Sequence, residues 1–186
     1  MNVGSQVAKN CSSQMINVDA RFQRVAAASV PTRRYLAHIQ GSRAESIQRS
    51  AVAVSVFDAW LGPERYHELE CDSAEQARRN DSHNKLCFAL RRQYEVFAVR
   101  CRGRHANRRA VFRRFVSDNE FQEYVDANNR DRNSQQFFVL AVPALGLLYE
   151  QHWDDTNIAW LARADSVEHL RDLAAQAGLH VLSFKS

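Results

Sequence analysis

A pattern of strand, capping box, helix and strand occurs twice in this chain, over residues 109–142 and 157–184. Each unit needs a sheet to close it, because an amphipathic helix between two strands buries its apolar face only against a layer of strands. The first unit is prepared by a change of hydrophobic period after Lys85, from near four to two. Tyr94, Val96 and Ala98 alternate with Glu95, Phe97 and Val99, as expected of a strand. The segment Arg108–Val116 is compatible with helix or strand. Ser117 and Glu120 form a capping box that starts a helix near Asp118, and one helix does not begin inside another. The spacing therefore predicts a hairpin, strand 92–102 and strand 109–116, turning around Gly103 and Asn107. A helix over Asp118–Asn128 follows, with Phe121, Tyr124 and Val125 inward. Strands are expected at Gln136–Val142, Leu145–Glu150 and Asn157–Arg163. Asp165 and Glu168 cap a last helix with Val167, Leu170, Leu173 and Ala174 on one side; Gly178 ends it, and Leu179–Phe184 is a final strand.

The part before Lys85 reads differently. Residues 1–31 lack sustained periodicity and read as a disordered leader. Residues 32–80 read as a helical section, with a short helix over Thr32–Gln40. In a longer one, capped by Ser42 and Glu45, Ala44, Ile47, Ala51, Val54, Asp58 and Leu61 share a face before Gly62 and Pro63. Two charged pieces follow, Glu64–Glu70 and Ser73–Arg79, the second capped by Asp72 and Glu75, and residues 80–84 read as loop. The fold class expected is α+β: a helical section, then over residues 85–186 a mainly antiparallel sheet with two helices on one face, like split βαβ folds. The stretch YLAHIQGSRAESIQRSAVAVSVFDAWLG, Tyr35–Gly62, resembles the helix pair that precedes the catalytic domain of tyrosine recombinases. The likeness covers 28 residues, and the recombinase set of arginines, histidine and tyrosine has no counterpart in the rest of the chain.

With 186 residues, 45% of them hydrophobic, the chain is long enough for a core without covalent staples. Cys11, Cys71, Cys87 and Cys101 form no C-x-x-C pair and no disulfide framework. No apolar run approaches 18 residues, so no membrane partner is expected. These features point to a reducing, cytoplasmic setting. The alternative is export or organelle targeting through residues 1–31, since six basic residues and a single acid stand before Glu45.

Charge is divided along the chain. Up to Arg114, 20 basic and 10 acidic residues leave +10; beyond it, 5 basic and 11 acidic residues leave −6. Nine arginines lie between Arg91 and Arg114, opposed only by Glu95. Arginine's planar fork suits phosphate or carboxylate, so Arg100, Arg102, Arg104, Arg108, Arg109, Arg113 and Arg114 are the candidate contact residues, toward nucleic acid or an acidic protein. Tyr94, Phe97 and Phe112 offer faces on which unpaired bases stack. The competing expectation is that arginines such as Arg100, Arg113 and Arg114 pair with the acidic C-terminal half.

Two further constellations carry chemistry. His67/Cys71 and His83/Cys87 repeat a four-residue offset, a set of ligands suited to tetrahedral zinc, although Cys87 and Cys101, beside Phe88 and Val99, are more simply small core residues. His152, Trp153, Asp154, Asp155 and Thr156 place adjacent carboxylates in a connection, as a turn requires or as a Mg²⁺-dependent hydrolase uses them. No phosphate loop, nucleophile elbow, dinucleotide fingerprint or zinc-protease helix occurs. The reading is a non-enzymatic binding module with no catalytic residue, metal or cofactor assigned; the alternatives are an effector addressed by its leader, and a metal-dependent hydrolase.

Overall fold

A computed structural model describes residues 22–24, 50–102, 109–130, 138–152 and 154–184, by backbone alone at 22–24, 50, 100–102, 109–110 and 127–130. Among the described residues, eight strands form one sheet: β1 Phe22–Arg24, β2 Ser50–Ser55, β3 Phe97–Arg102, β4 Arg109–Phe115, β5 Val139–Val142, β6 Leu147–Glu150, β7 Thr156–Leu161 and β8 His180–Ser183. The described α-helices are α1 Ser73–Gln93, α2 Asp118–Arg130 and α3 Ser166–Gln176. The fold is α+β, and each neighbouring strand pair is antiparallel.

The sheet order, β1-β4-β3-β5-β6-β7-β2-β8, contains the expected repeat. β4 and β5 both run antiparallel to β3, hence parallel to each other, and α2 connects them around it. β7 and β8 flank β2 in the same way, with α3 as the connection. β1 borders β4 as β6 borders β7. Two split βαβ units thus stand side by side, joined where β5 pairs with β6.

The helices share one apolar cluster with the sheet: Leu86, Cys87 and Leu90 from α1, Phe121, Tyr124 and Val125 from α2, and Leu170, Leu173 and Ala174 from α3 pack over Ala98, Leu140, Leu147, Tyr149 and Ala159. α1 contacts both other helices and so ties the two units together. Burial pushes the Cys87 thiol up and keeps it neutral, consistent with a small core residue. Caps act as expected at Asp72, whose carboxylate accepts from Glu75 N at 2.8 Å, and at Ser117, whose hydroxyl accepts from Glu120 N at 3.2 Å. Asp165 makes no such bond to its helix; its carboxylate binds Arg163 instead. Gly178, at φ +75°, supplies the left-handed stop of α3, with Leu179 N donating to Ala174 O at 2.8 Å.

Two expectations are corrected. The helix placed over 42–61 is, in its described part, strand β2. Val52, Val54 and Val56 satisfy period two as readily as Ala51 and Val54 satisfy a helical stripe, and the slot between β7 and β8 decides the matter by burying Val52 through Ser55. The loop at 80–84 and the strand start at 92 are both replaced by α1, which runs unbroken to Gln93. Its polar middle finds partners across the fold: Asn84 Nδ2 donates to Asp126 at 2.6 Å, and His83 is wholly buried in a hydrogen-bonded cluster. Of the leader, Phe22–Arg24 pairs with Arg113–Phe115. The helix expected at Thr32–Gln40 and the cap at Ser42 lie outside the described residues.

Candidate nucleic-acid interface

The expected hairpin exists, in the register Phe97↔Arg114 through Arg102↔Arg109. β5 accompanies β3 only over Phe97–Val99, and β1 accompanies β4 only over Arg113–Phe115. Among the described residues, Arg100–Arg102 and Arg109–Val111 therefore form a two-stranded ribbon extending past their neighbours in the sheet. Arg100, Arg102 and Arg109 are on this ribbon, and Arg102 stands directly opposite Arg109. Alternation puts positions 98, 100 and 102, with partners 113, 111 and 109, on one face. Arg104 and Arg108 fall outside the described residues. Arg113 and Arg114 are half-buried at the base, where β4 is still paired on both sides.

The two halves meet through charge at α1. Arg114 Nε pairs with Glu95 at 3.0 Å, within its own half. Arg91, on α1, reaches the acidic half at Asp118 (2.9 Å) and lies over the Phe121 ring. The expected stacking faces are not free: Phe97 and Phe112 are buried, and the Tyr94 hydroxyl bonds His169 Nε2 at 2.6 Å.

A second polar centre joins α1 to the connection before β7. Arg79 donates through Nη1 to Asp155 at 3.0 Å and through Nε to Glu75 at 2.9 Å, and Gln76 Nε2 donates to Asp155 at 3.0 Å. Contact with Arg78 and Arg79 draws the Glu75 carboxyl down to about 2. Side-chain exposure is 8% for Arg79 and 5% for Asp155, so this is a buried ion pair. Asp155 adopts φ +56°, left-handed backbone that Asp tolerates better than most residues. Next to it, His83 Nε2–H donates to Asp155 O, while Nδ1 faces the Tyr149 hydroxyl and the Asn157 amide at 3.1 and 3.2 Å. Asn157 Oδ1 accepts from His152 N, which orients its amide and leaves Nδ2 as the donor toward the imidazole.

These contacts locate the remaining sequence candidates. His83 and Cys87 belong to the core face of α1, whereas His67 and Cys71 are exposed at the rim of a cavity of about 530 Å³ bordered also by Phe57, Glu75, Arg78 and Arg79. The four do not converge, and among the described residues no group of three or more His, Cys, Asp or Glu is placed to hold a metal ion. In the 152–155 connection, the Asp155 carboxylate is taken by Arg79 and Gln76. Asp154 Oδ1 is buried without a hydrogen-bond partner.

No family model, curated protein or solved structure matches this chain. No described helix is long and apolar enough to cross a membrane.

Desolvation raises the Asp154 carboxyl above the usual aspartate range. The folded state therefore takes up this proton at a higher pH than the unfolded chain, and the carboxylate costs stability at neutral pH that returns as pH falls through the raised value. Asp154→Asn is expected to raise Tm at pH 7 by about 2–4 °C. The gain should vanish below about pH 4, where aspartate is protonated in both states. Parallel thermal melts at the two pH values check this, and a lower Tm for the variant at pH 7 would reverse the assignment.

The buried pair and the His83 cluster went unread in the sequence. Their members stand far apart: 76 positions separate Arg79 from Asp155. A local signal existed in the stripe Arg79, Ser82, His83, Leu86, Cys87 and Leu90, all buried on α1. It has helical spacing, but its first half is polar and so resembles a loop.

Proposed function

We propose that this chain is a nucleic-acid-binding module whose arginine ribbon lies along a phosphate backbone. The supporting observation is that, among the described residues, 100–102 and 109–111 pair with each other as a two-stranded ribbon beyond the pairings of β5 and β1. Seven arginines and no acid occur between Val96 and Ser117. A two-stranded ribbon fits a major groove about 12 Å wide, and alternate residues along each strand recur every ~6–7 Å, a dense row of cations against a polymer that carries one charge per ~1.7 Å of axis. Outside this stretch Arg65, Arg78, Arg79, Arg91, Arg163 and Arg171 each meet a carboxylate, so their charge is compensated locally.

A salt series tests the reading. Affinity for a generic duplex, measured by fluorescence anisotropy between about 50 and 200 mM salt, should fall with a log–log slope near −0.9 for each phosphate neutralised, so about −4.5 to −6.3 for five to seven contacts. A flat response would overturn it. Polyglutamate binding as tightly as the duplex would assign the ribbon to an acidic protein instead.

A further inference from the structure

We propose that the cavity between β2, β7, β8 and residues 57–69 is a binding site for an alkylammonium group, held by the faces of Trp60, Tyr66 and Phe57 and by the charge of Asp154. The cavity measures about 210 Å³, below the ~300–1,000 Å³ usual for pockets that take drug-sized ligands, so it suits one small cation or one side chain. Its walls include Phe57, Trp60 and Tyr66, with Leu69 and Leu182, and Asp154 is the one carboxylate among them. Rings around a space with a single acid are what a soft organic cation requires: the ring quadrupoles attract it, the apolar walls accept its methyl groups, and the carboxylate neutralises it. An inorganic cation would ask for converging oxygens, which the described residues do not provide.

Three features set this cavity apart from an ordinary apolar dent. Trp60 and Tyr66 are 40% and 56% exposed and line the same cavity, and exposed apolar side chains gathered at one place mark ligand grooves where scattered ones do not. Trp60 is nevertheless fixed, its indole N–H donating to Ser183 O at 2.8 Å and its ring lying 5.1 Å from that of Phe184. Asp154 Oδ1 is removed from water with no donor to meet it, so one oxygen of the carboxylate is left for a ligand. Desolvation outweighs the backbone hydrogen bonds that the carboxyl receives at Asp154 and Thr156 and raises it. Phe57 lines both this cavity and the larger one, and from the larger side it already receives a cation, the Arg79 guanidinium carbon lying 5.2 Å from the ring centroid. The cavity belongs to the β2/β7/β8 end of the sheet, with β5 and β6 between it and the ribbon, so the two proposals stand or fall separately.

Calorimetric titration of the full chain with choline and with its neutral isostere 3,3-dimethylbutan-1-ol tests the site, with the Trp60 indole N–H resonance as a local readout. Choline should bind about tenfold tighter than the alcohol and shift the Trp60 resonance. Tyr66→Ala and Asp154→Asn should each weaken it about tenfold. Tyr66 is exposed, so its truncation leaves the core intact, and circular dichroism melts of both variants confirm folding. A trimethyl-lysine tripeptide distinguishes the source of the ammonium: tighter binding than choline indicates a modified protein side chain, equal binding a free small molecule. Equal affinity for choline and the alcohol, no shift from either at ~50 mM, or unchanged choline binding in both variants would overturn the proposal.

Discussion

Replacing Arg79 with methionine is expected to cost about 3–5 kcal/mol of folding stability, a large part of what a domain of this size possesses. Methionine fills most of the space of the arginine stem, so the loss is electrostatic rather than a cavity effect. The change removes the cation that faces the buried Asp155 carboxylate, and it removes the Nη2 bond to Glu68 O at 3.0 Å that holds the Pro63–Leu69 turn to α1. Adding Asp155→Asn should recover part of the loss, because an uncharged amide needs no counter-ion and asparagine also accepts the left-handed backbone at that position. A urea-denaturation double-mutant cycle measures both effects. Additive losses would mean that the pair contributes little beyond its separate contacts.

The second large effect concerns binding. Exchanging Arg100, Arg102 and Arg109 together for glutamine should lower duplex affinity about 100-fold near 0.1 M salt and flatten the salt slope by about 2.7, three phosphate contacts at 0.9 each. Stability should change little, since among the described residues these positions lie beyond the pairings with β1 and β5 at the ribbon's base. Exchanging Arg163 and Arg171 makes a proper control. Both are at the other end of the sheet and are already paired, with Asp165 and Glu168. If the control loses as much affinity as the ribbon variant, net charge rather than ribbon geometry governs binding.

The legible part of this fold is the part where each element announces itself locally. From Phe97 onward, alternation marks the strands, Ser117 and Gly178 mark helix limits, and the repeated unit emerges as two split βαβ arrangements. Misreading occurred where the deciding partner is remote. Ser50–Ser55 is small and β-branched, able to satisfy either period, and only the neighbours β7 and β8 make it a strand. Residues 80–84 carry the polar groups of a loop, yet Ser82 and His83 are buried in a helix because Tyr149, Asn157 and the Asp155 carbonyl satisfy the imidazole. The ribbon is legible as a basic hairpin; which strands pair with its base depends on β1 and β5, which composition does not encode. The aromatic cavity had no sequence signature, since its walls come from residues 55–69, 154–156 and 182.

The position of β2 also sets the order in which the molecule can be completed. Ser55 meets Thr156 across 101 positions, and Trp60 reaches Ser183 across 123. β3, β4, α2 and β5 are contiguous, so the first unit can assemble while the chain is still being made. β2 is synthesised before all of them but has no described sheet neighbour until β7 and β8 emerge. Such high contact order slows folding and leaves a valine-rich segment exposed in the interval. Slow closure is therefore expected at the β2/β7/β8 end of the sheet, with the aromatic cavity forming only in the last step.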